Sequence, residues 1–148
     1  IMLVVLYFPT ATGLIFEAEN FLEANPLVTP LHIRPAWYLS PYYAILRAIP
    51  DKGMGALFMF LAIVLWAFLP WLDYSPAKSM RYRSVWDRLL LAMVIIAFIT
   101  LGILGSFPAV GINLTLARWA TVAYFSYFLL LPLVSSLGGH KPVPKRIP

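Results

Sequence analysis

The fold class is decided by an uncharged run at residues 53–72, GMGALFMFLAIVLWAFLPWL. A transmembrane helix needs about 20 apolar residues to cross the roughly 30 Å hydrocarbon core, and this run is long enough. Across the chain 61% of the residues are hydrophobic and 11% are charged. A soluble domain is usually about 45–50% apolar and about 25% charged. The composition therefore predicts an integral membrane protein.

Three other apolar runs have the same character. Residues 89–106 and 119–139 are predicted to be complete transmembrane helices. Residues 1–16 are too short to cross alone and lack signal-peptide features, so we expect them to be the end of a transmembrane helix. Strand-like alternation is not evident. The predicted class is an all-α membrane protein with one partial and three complete transmembrane helices.

The segments that connect these runs alternate in charge. The linker at residues 73–88 and the tail at residues 140–148 are basic, whereas the long loop at residues 17–52 has more acidic than basic residues. The loop at residues 107–118 is uncharged as far as its last residue. Basic segments stay on the negative side of a membrane. The long loop and the 107–118 loop are therefore predicted on the positive side.

The same distribution accounts for the net charge of +5. The basic residues are expected to set the topology and to contact lipid headgroups. Nucleic acid is therefore not expected as a partner.

The loop at residues 17–52 is too long to serve only as a connection between two helices. Its second half repeats proline, with tryptophan and tyrosine in between. Proline fixes φ and donates no backbone hydrogen bond, so we predict a stiff, non-helical path. Residues 41–49 are predicted to form a short interfacial helix that ends at Pro50, because their apolar side chains recur at helical spacing, at Tyr42, Ile45, Leu46 and Ile49. Aromatic walls with a few hydroxyl groups suit a flat apolar ligand such as a quinone. The alternative is an amphipathic loop that only seals the bundle.

Two stretches of this loop carry a family resemblance. Residues 25–38, NPLVTPLHIRPAWY, and residues 43–52, YAILRAIPDK, closely resemble the loop between the fifth and sixth helices of cytochrome b. Residues 69–73, LPWLD, and residues 81–83, RYR, resemble the next linker of that family. The resemblance covers the chain from end to end. It implies the C-terminal part of cytochrome b, the core subunit of the ubiquinol–cytochrome c oxidoreductase (cytochrome bc complex).

The resemblance implies a role in a quinol oxidation site. The family's Pro-Glu-Trp-Tyr tetrad falls on residues 35–38, and its pocket tyrosine falls on Tyr43. The implied quinol-binding residues are Ile33, Pro35, Ala36, Trp37, Tyr38 and Tyr43. The complex would pass electrons from quinol to cytochrome c and translocate protons, and the chain would not be catalytic alone.

The departure from the family lies at Ala36. Cytochrome b most often has a glutamate there, proposed to accept the second quinol proton, whereas an alanine cannot carry a proton. No catalytic residue is therefore assigned. The proton would leave through Tyr38, Tyr43, water or another segment, and we expect slower or differently pH-dependent turnover.

The resemblance also implies cofactors and partners beyond this chain. In the family, histidines of the N-terminal half hold two b-type haems, and neither histidine here lies in a predicted span. No haem or metal is therefore assigned to this segment. The implied partners are the N-terminal half of cytochrome b, the iron–sulfur (Rieske) protein, a cytochrome c-type subunit and the lipid membrane. The complex would be dimeric and would lie in a bacterial cytoplasmic or mitochondrial inner membrane.

Two other functions remain open from the residues. One is a non-catalytic membrane scaffold, which would tolerate the loop without needing it. The other is a split cytochrome b chain similar to chloroplast subunit IV, although that subunit ends after three helices. A transporter is disfavoured because the predicted spans contain no ionisable residue.

Four residues outside the tetrad have predicted structural roles. Arg47 is expected to pair with Asp51, four residues along the short helix. Arg118 is expected to reach lipid headgroups. Gly102 and Gly105 are expected to allow a close helix contact.

Overall fold

The described residues form four helices. The computed structural model describes residue 23, residues 35–77 and residues 79–137. Its helices are α1 (Ser40–Ala48), α2 (Lys52–Leu72), α3 (Val85–Gly105) and α4 (Ile112–Ser136). By length and composition, α2, α3 and α4 can each cross a membrane. The all-α membrane class is confirmed, and the predicted segments at residues 1–16 and 140–148 lie outside the described residues.

Local signals explain where α1 and α2 begin and end. Pro41 occupies the first turn of α1, where a missing N–H breaks no helical hydrogen bond. Ile49 has an extended backbone because Pro50 follows it. The Asp51 side chain then accepts the backbone N–H of Met54 at 2.7 Å and caps the start of α2.

Helix α3 begins earlier than the predicted span at residues 89–106. Ser84 and Asp87 form a reciprocal capping box, in which the Asp87 carboxylate accepts the Ser84 N–H at 3.2 Å. The helix therefore starts at Val85. The predicted span counted uncharged residues only and so omitted this charged first turn.

Helix α4 also begins before its predicted span, at Ile112 rather than residue 119. Gly111 has φ +57°, a conformation that glycine adopts without steric cost, and it redirects the chain into the helix. The predicted positive-side loop at residues 107–118 is therefore corrected to a connection at residues 106–111. Arg118 lies within α4 rather than at its start.

The three long helices alternate in direction, and α1 packs across one end of them. At that end the Arg118 Nε donates to the Ala48 carbonyl at 3.0 Å, joining α4 to α1. At the opposite end the Tyr74 N–H donates to the Ser135 hydroxyl at 3.2 Å, joining the exit of α2 to the exit of α4. We call these the α1 end and the linker end. Helices α2 and α4 run parallel, and α3 runs against them.

The core is centred on a tyrosine of α4. Tyr124 is fully buried, and its hydroxyl donates to the Ala62 carbonyl of α2 at 2.8 Å. Its ring stacks on Phe98 of α3 at 6.2 Å between centroids and contacts Phe128 at 5.4 Å. Helices inside a membrane associate through such close packing and interhelical hydrogen bonds. This core fixes the three long helices relative to one another.

Glycine allows α1 to approach the C-terminal end of α3. A Cβ atom built on Gly105 would lie 2.1 Å from the Ser40 carbonyl oxygen. A Cβ atom on Gly102 would lie 3.5 Å from Pro41 Cγ, which is ordinary van der Waals contact. The predicted close helix contact is therefore confirmed, and Gly105 is the residue that it requires.

The two glycines give a first prediction. We expect Gly105→Ala to lower the free energy of unfolding by about 1–3 kcal/mol, because the added methyl group would overlap backbone atoms of α1. Gly102→Ala is the matched control, expected to change stability by less than about 0.5 kcal/mol. Thermal unfolding of the detergent-purified complex measures both, and equal midpoints for the two variants would contradict the assignment.

An ion pair organises the linker between α2 and α3. Arg83 pairs with Asp73, and both side chains are largely buried. The Arg83 Nε also donates to the Ala77 carbonyl at 3.0 Å, while Asp73 accepts the Ser75 N–H at 3.1 Å. Arg83 therefore shapes this linker through internal contacts.

This ion pair gives a second prediction. Arg83→Met is expected to cost about 1–3 kcal/mol of unfolding free energy, because it leaves the Asp73 carboxylate without its cation. Arg81→Met, in the same linker and exposed, is the control and is expected to be near neutral. Chemical unfolding of the purified complex compares the two. The assignment is wrong if Arg83→Met is as stable as Arg81→Met.

Candidate functional site

The tetrad at residues 35–38 runs into a tight turn directly before α1. The Leu39 N–H donates to the Ala36 carbonyl at 2.8 Å, and the Ser40 N–H donates to the Trp37 carbonyl at 3.3 Å. These bonds reverse the chain just ahead of Pro41. The turn therefore fixes where the tetrad lies relative to the helices.

The turn exposes two aromatic rings at the α1 end. Trp37 is 64% exposed and Tyr38 is 57% exposed. Their rings meet edge to face at 5.8 Å between centroids, a favourable arrangement for aromatic pairs. Together they form an apolar surface that is available to a flat ligand or to another protein segment.

A serine anchors this turn to α3. Ser40 is 1% exposed, and its hydroxyl donates to the Gly102 carbonyl at 2.8 Å. The Ser106 hydroxyl lies 3.3 Å away. The start of α1 is therefore tied to the end of α3 by polar contacts as well as by the glycine contact.

Two adjacent tyrosines of α1 have different environments. Tyr42 packs on Phe98 at 5.8 Å between centroids, and burial raises the pKa of its phenol above the ordinary value. It stays protonated and belongs to the core. Tyr43 is half-buried and lines a cavity of about 490 Å³ with Leu46, Arg47, Ile49, Lys52 and Ala109. The family's pocket tyrosine therefore falls on the residue that faces open space.

Arg47 differs from its predicted role. Its guanidinium does not bond Asp51, which instead caps α2. Its Nη2 donates to the carbonyls of Leu104, Gly105 and Phe107 at 3.2, 2.9 and 2.8 Å. The predicted pairing is wrong because backbone carbonyls at and just beyond the end of α3 accept from the guanidinium instead.

Arg118 also has an internal partner. Its Nε donates to the Ala48 carbonyl at the C-terminal end of α1, although the residue as a whole remains exposed. The contact adds a link between α1 and α4 beyond the predicted approach to headgroups. Arg47 therefore links α1 to the end of α3, and Arg118 links α4 to the end of α1.

The structure brings most of the predicted site to one end of the bundle. Pro35 and Ala36 are half-buried, Trp37 and Tyr38 are exposed, and Tyr43 follows on α1. The four tetrad positions do not line the cavity beside Tyr43. Ile33 lies outside the described residues.

Sequence reasoning missed two residues that support this site. Ser40 anchors the turn, and Arg47 lies over the Tyr43 ring with its Cζ 4.4 Å from the centroid. The four-residue spacing of Tyr43 and Arg47 on a helix was a usable signal for that contact. The acceptor carbonyls come from a segment about sixty residues away and had no local signal.

The described residues do not fit a haem or metal site. They contain no histidine, and none of their acidic side chains form a group of three that could hold a metal ion. Both histidines of the chain, His32 and His140, fall outside the described ranges. No described residue is therefore assigned as a haem or metal ligand.

Known proteins of one family match this chain along most of its length. Residues 23–125 match the family described as Cytochrome b(C-terminal)/b6/petD. A cytochrome b of Allochromatium vinosum is 45% identical over 97% of this chain and 36% of its own length. A cytochrome b/c1 of Bradyrhizobium diazoefficiens is 44% identical over 97% of this chain and 20% of its own length.

A solved structure has the same fold. A chain of a hyperthermophilic respiratory Complex III superposes with a TM-score of 0.79 and 34% identity, covering 92% of this chain and 33% of that one. This chain therefore spans about a third of the Allochromatium cytochrome b and of the Complex III chain. The matched residues include the tetrad turn and α1, whose geometry is described above. The chain belongs to the cytochrome b C-terminal family.

Proposed function

We propose that this chain forms one wall of the quinol oxidation site in a cytochrome bc complex. The observation that carries the proposal is the rigid turn at residues 35–39, which exposes Trp37 and Tyr38 at the α1 end. Family membership supports the same assignment. The rest of the site, the haems and the electron acceptors would come from the N-terminal half and from other subunits.

The exposed rings suit the recognition of a quinol headgroup. A flat, weakly polar ring gains dispersion and edge contacts from aromatic side chains, and tyrosine hydroxyls add directional hydrogen bonds. The turn is held by two backbone hydrogen bonds and by the Ser40 hydroxyl. A rigid wall of this kind loses little conformational entropy when a ligand binds.

The wall lacks a proton acceptor at its tetrad. Oxidation of a quinol to a quinone releases two electrons and two protons, so the site must provide a route for both protons. Ala36 offers only a methyl group, and the described acid nearest to it in sequence, Glu23, is an exposed residue. The second proton therefore leaves through a tyrosine hydroxyl, water or another segment.

The charges of the connections support the proposed sidedness. The α1 end would face the positive side of the membrane, and the linker end, which contains Arg81, Arg83 and Arg88, would face the negative side. Three crossing helices in alternating directions are compatible with this arrangement. The membrane would be a bacterial cytoplasmic or mitochondrial inner membrane.

The tetrad tryptophan gives a third prediction. We expect Trp37→Leu to raise the KM for quinol about two- to tenfold in the purified complex, because the ring supplies aromatic contact energy. Trp119→Leu is the matched control, since Trp119 is 69% exposed but lies on α4. Quinol-dependent reduction of cytochrome c is the assay.

Two outcomes of this assay would contradict the proposal. One is that the wild-type complex shows no quinol oxidation sensitive to an inhibitor of the positive-side quinol site. The other is an equal KM for the two tryptophan variants. Either result would favour a non-catalytic scaffold, which needs no ligand contact at Trp37.

Ala36 gives a fourth prediction. We expect Ala36→Glu to raise kcat and to change its pH dependence, because the carboxylate would accept the second proton directly. Ala36→Gln is the control, since a glutamine side chain has nearly the same shape as a glutamate side chain but has no carboxylate to accept a proton. The measurement is kcat for quinol oxidation across about pH 4 to 9, a range that includes the ordinary glutamate pKa of about 4.3 and the higher values of buried carboxyl groups. An unchanged rate and pH profile in Ala36→Glu would rule out the tetrad position as the proton route.

A further inference from the structure

We propose that Arg47 is a positioning residue for the quinol site, holding the ring of Tyr43 in place from the end of α3. The inference rests on the proposed function. It assigns Arg47 a role through Tyr43 and not through contact with quinol.

The first step is that the Arg47 guanidinium is held in place. One of its terminal nitrogens donates to the carbonyls of Leu104, Gly105 and Phe107, all within 3.2 Å. The last carbonyls of a helix lack intrahelical partners and carry the negative end of the helix dipole. A planar cation bound to several such acceptors has little freedom to reorient.

The second step is that this cation lies over the Tyr43 ring. The Arg47 Cζ is 4.4 Å from the ring centroid, within the roughly 6 Å range of a cation–π contact. The two residues are one helical turn apart on α1. A guanidinium anchored to α3 therefore restrains the ring of a residue on α1.

The third step is that the core does not restrain Tyr43. Its neighbour Tyr42 packs against the core and contacts Phe98, whereas Tyr43 is half-buried beside an open cavity. A ring that borders open space can rotate unless a specific contact holds it. Arg47 is the charged side chain that provides this contact.

The arrangement predicts a particular kinetic effect. In this proposal the Tyr43 ring contacts the quinol ring equally in the ground state and in the transition state, and the second proton leaves through Tyr38, water or another segment. Loss of the restraint on Tyr43 therefore weakens binding at both points equally. A loss of this uniform kind raises KM and leaves kcat nearly unchanged. A general loss of folding would instead reduce the amount of active complex, which lowers the apparent kcat and leaves KM unchanged.

The fifth prediction is tested by a double-mutant cycle in the whole complex. We expect Arg47→Met to raise the quinol KM about three- to tenfold, with kcat within about twofold. The effect should persist with Tyr43→Phe, which keeps the ring, and vanish with Tyr43→Leu, which removes it. Arg47→Lys should restore only part of the loss, because an ammonium that bonds the same carbonyls has no flat guanidinium to lie over the Tyr43 ring.

Arg118→Met is the matched control. Arg118 also binds a backbone carbonyl, but that carbonyl belongs to Ala48 at the C-terminal end of α1, and Arg118 does not contact the Tyr43 ring in the way that Arg47 does. We expect this variant to leave the quinol KM unchanged. A KM change equal to that of Arg47→Met would assign the effect to general loosening of α1 and would overturn the proposal.

A readout independent of turnover separates this inference from the proposed function. The purified complex with 3-fluorotyrosine at position 43 would be compared by fluorine NMR before and after each arginine substitution. Arg47→Met should shift or broaden the signal, and Arg118→Met should not. If the complex does not oxidise quinol but the signal responds to Arg47→Met, the proposed function fails and the ring restraint stands.

Two results would overturn the ring restraint. One is a fluorine signal that is the same with and without Arg47. The other is a full KM effect of Arg47→Met in the Tyr43→Leu background. Should Arg47→Met fail to assemble, Arg47→Lys is compared in both measurements and decides in the same way.

Discussion

Carbonyl groups at and just beyond the C-terminal end of α3 accept hydrogen bonds from side chains of α1, and the geometry of the candidate site follows from these contacts. The Ser40 hydroxyl and the Arg47 guanidinium both donate to them. Near or inside a bilayer, backbone groups without partners cost several kcal/mol, so such contacts are strongly favoured. Gly105 permits the approach because it has no side chain. These contacts set the position of α1 and therefore of the turn that precedes it.

The candidate site separates two tasks that the family resemblance joins in one tetrad. Trp37 and Tyr38 present an exposed aromatic surface, held by the turn and by Ser40, to which we assign ring recognition in the proposed site. Ala36 removes the acid that would take a proton. Ligand binding and proton transfer can therefore be tested with different substitutions in the same turn. Helix α1 also has residues with separate roles, because Tyr42 packs in the core whereas Tyr43 lines the cavity.

Local patterns predicted much of the fold and part of the site. The apolar runs indicated three spans, and the helical spacing of apolar residues at 41–49 indicated a short helix that closely matches α1. Helix starts were less well predicted, because α3 includes a charged capping turn and α4 begins in what was read as a loop. The pairing of Arg47 with Asp51 was wrong, since a near neighbour in sequence competed with carbonyls that fold back from a distant segment.

The sequence by itself determined the membrane class, the number of complete spans, the family resemblance and the missing glutamate at Ala36. These properties depend on composition, run length and residue identity, which need no contact between distant segments. Only the tertiary structure decided that Arg47 binds the end of α3 and lies over Tyr43, and that Gly105 is the close contact. Such facts depend on distances between segments far apart in the chain. Those distances are set when α1 packs against α3, because only that packing brings the acceptor carbonyls and Gly105 next to α1.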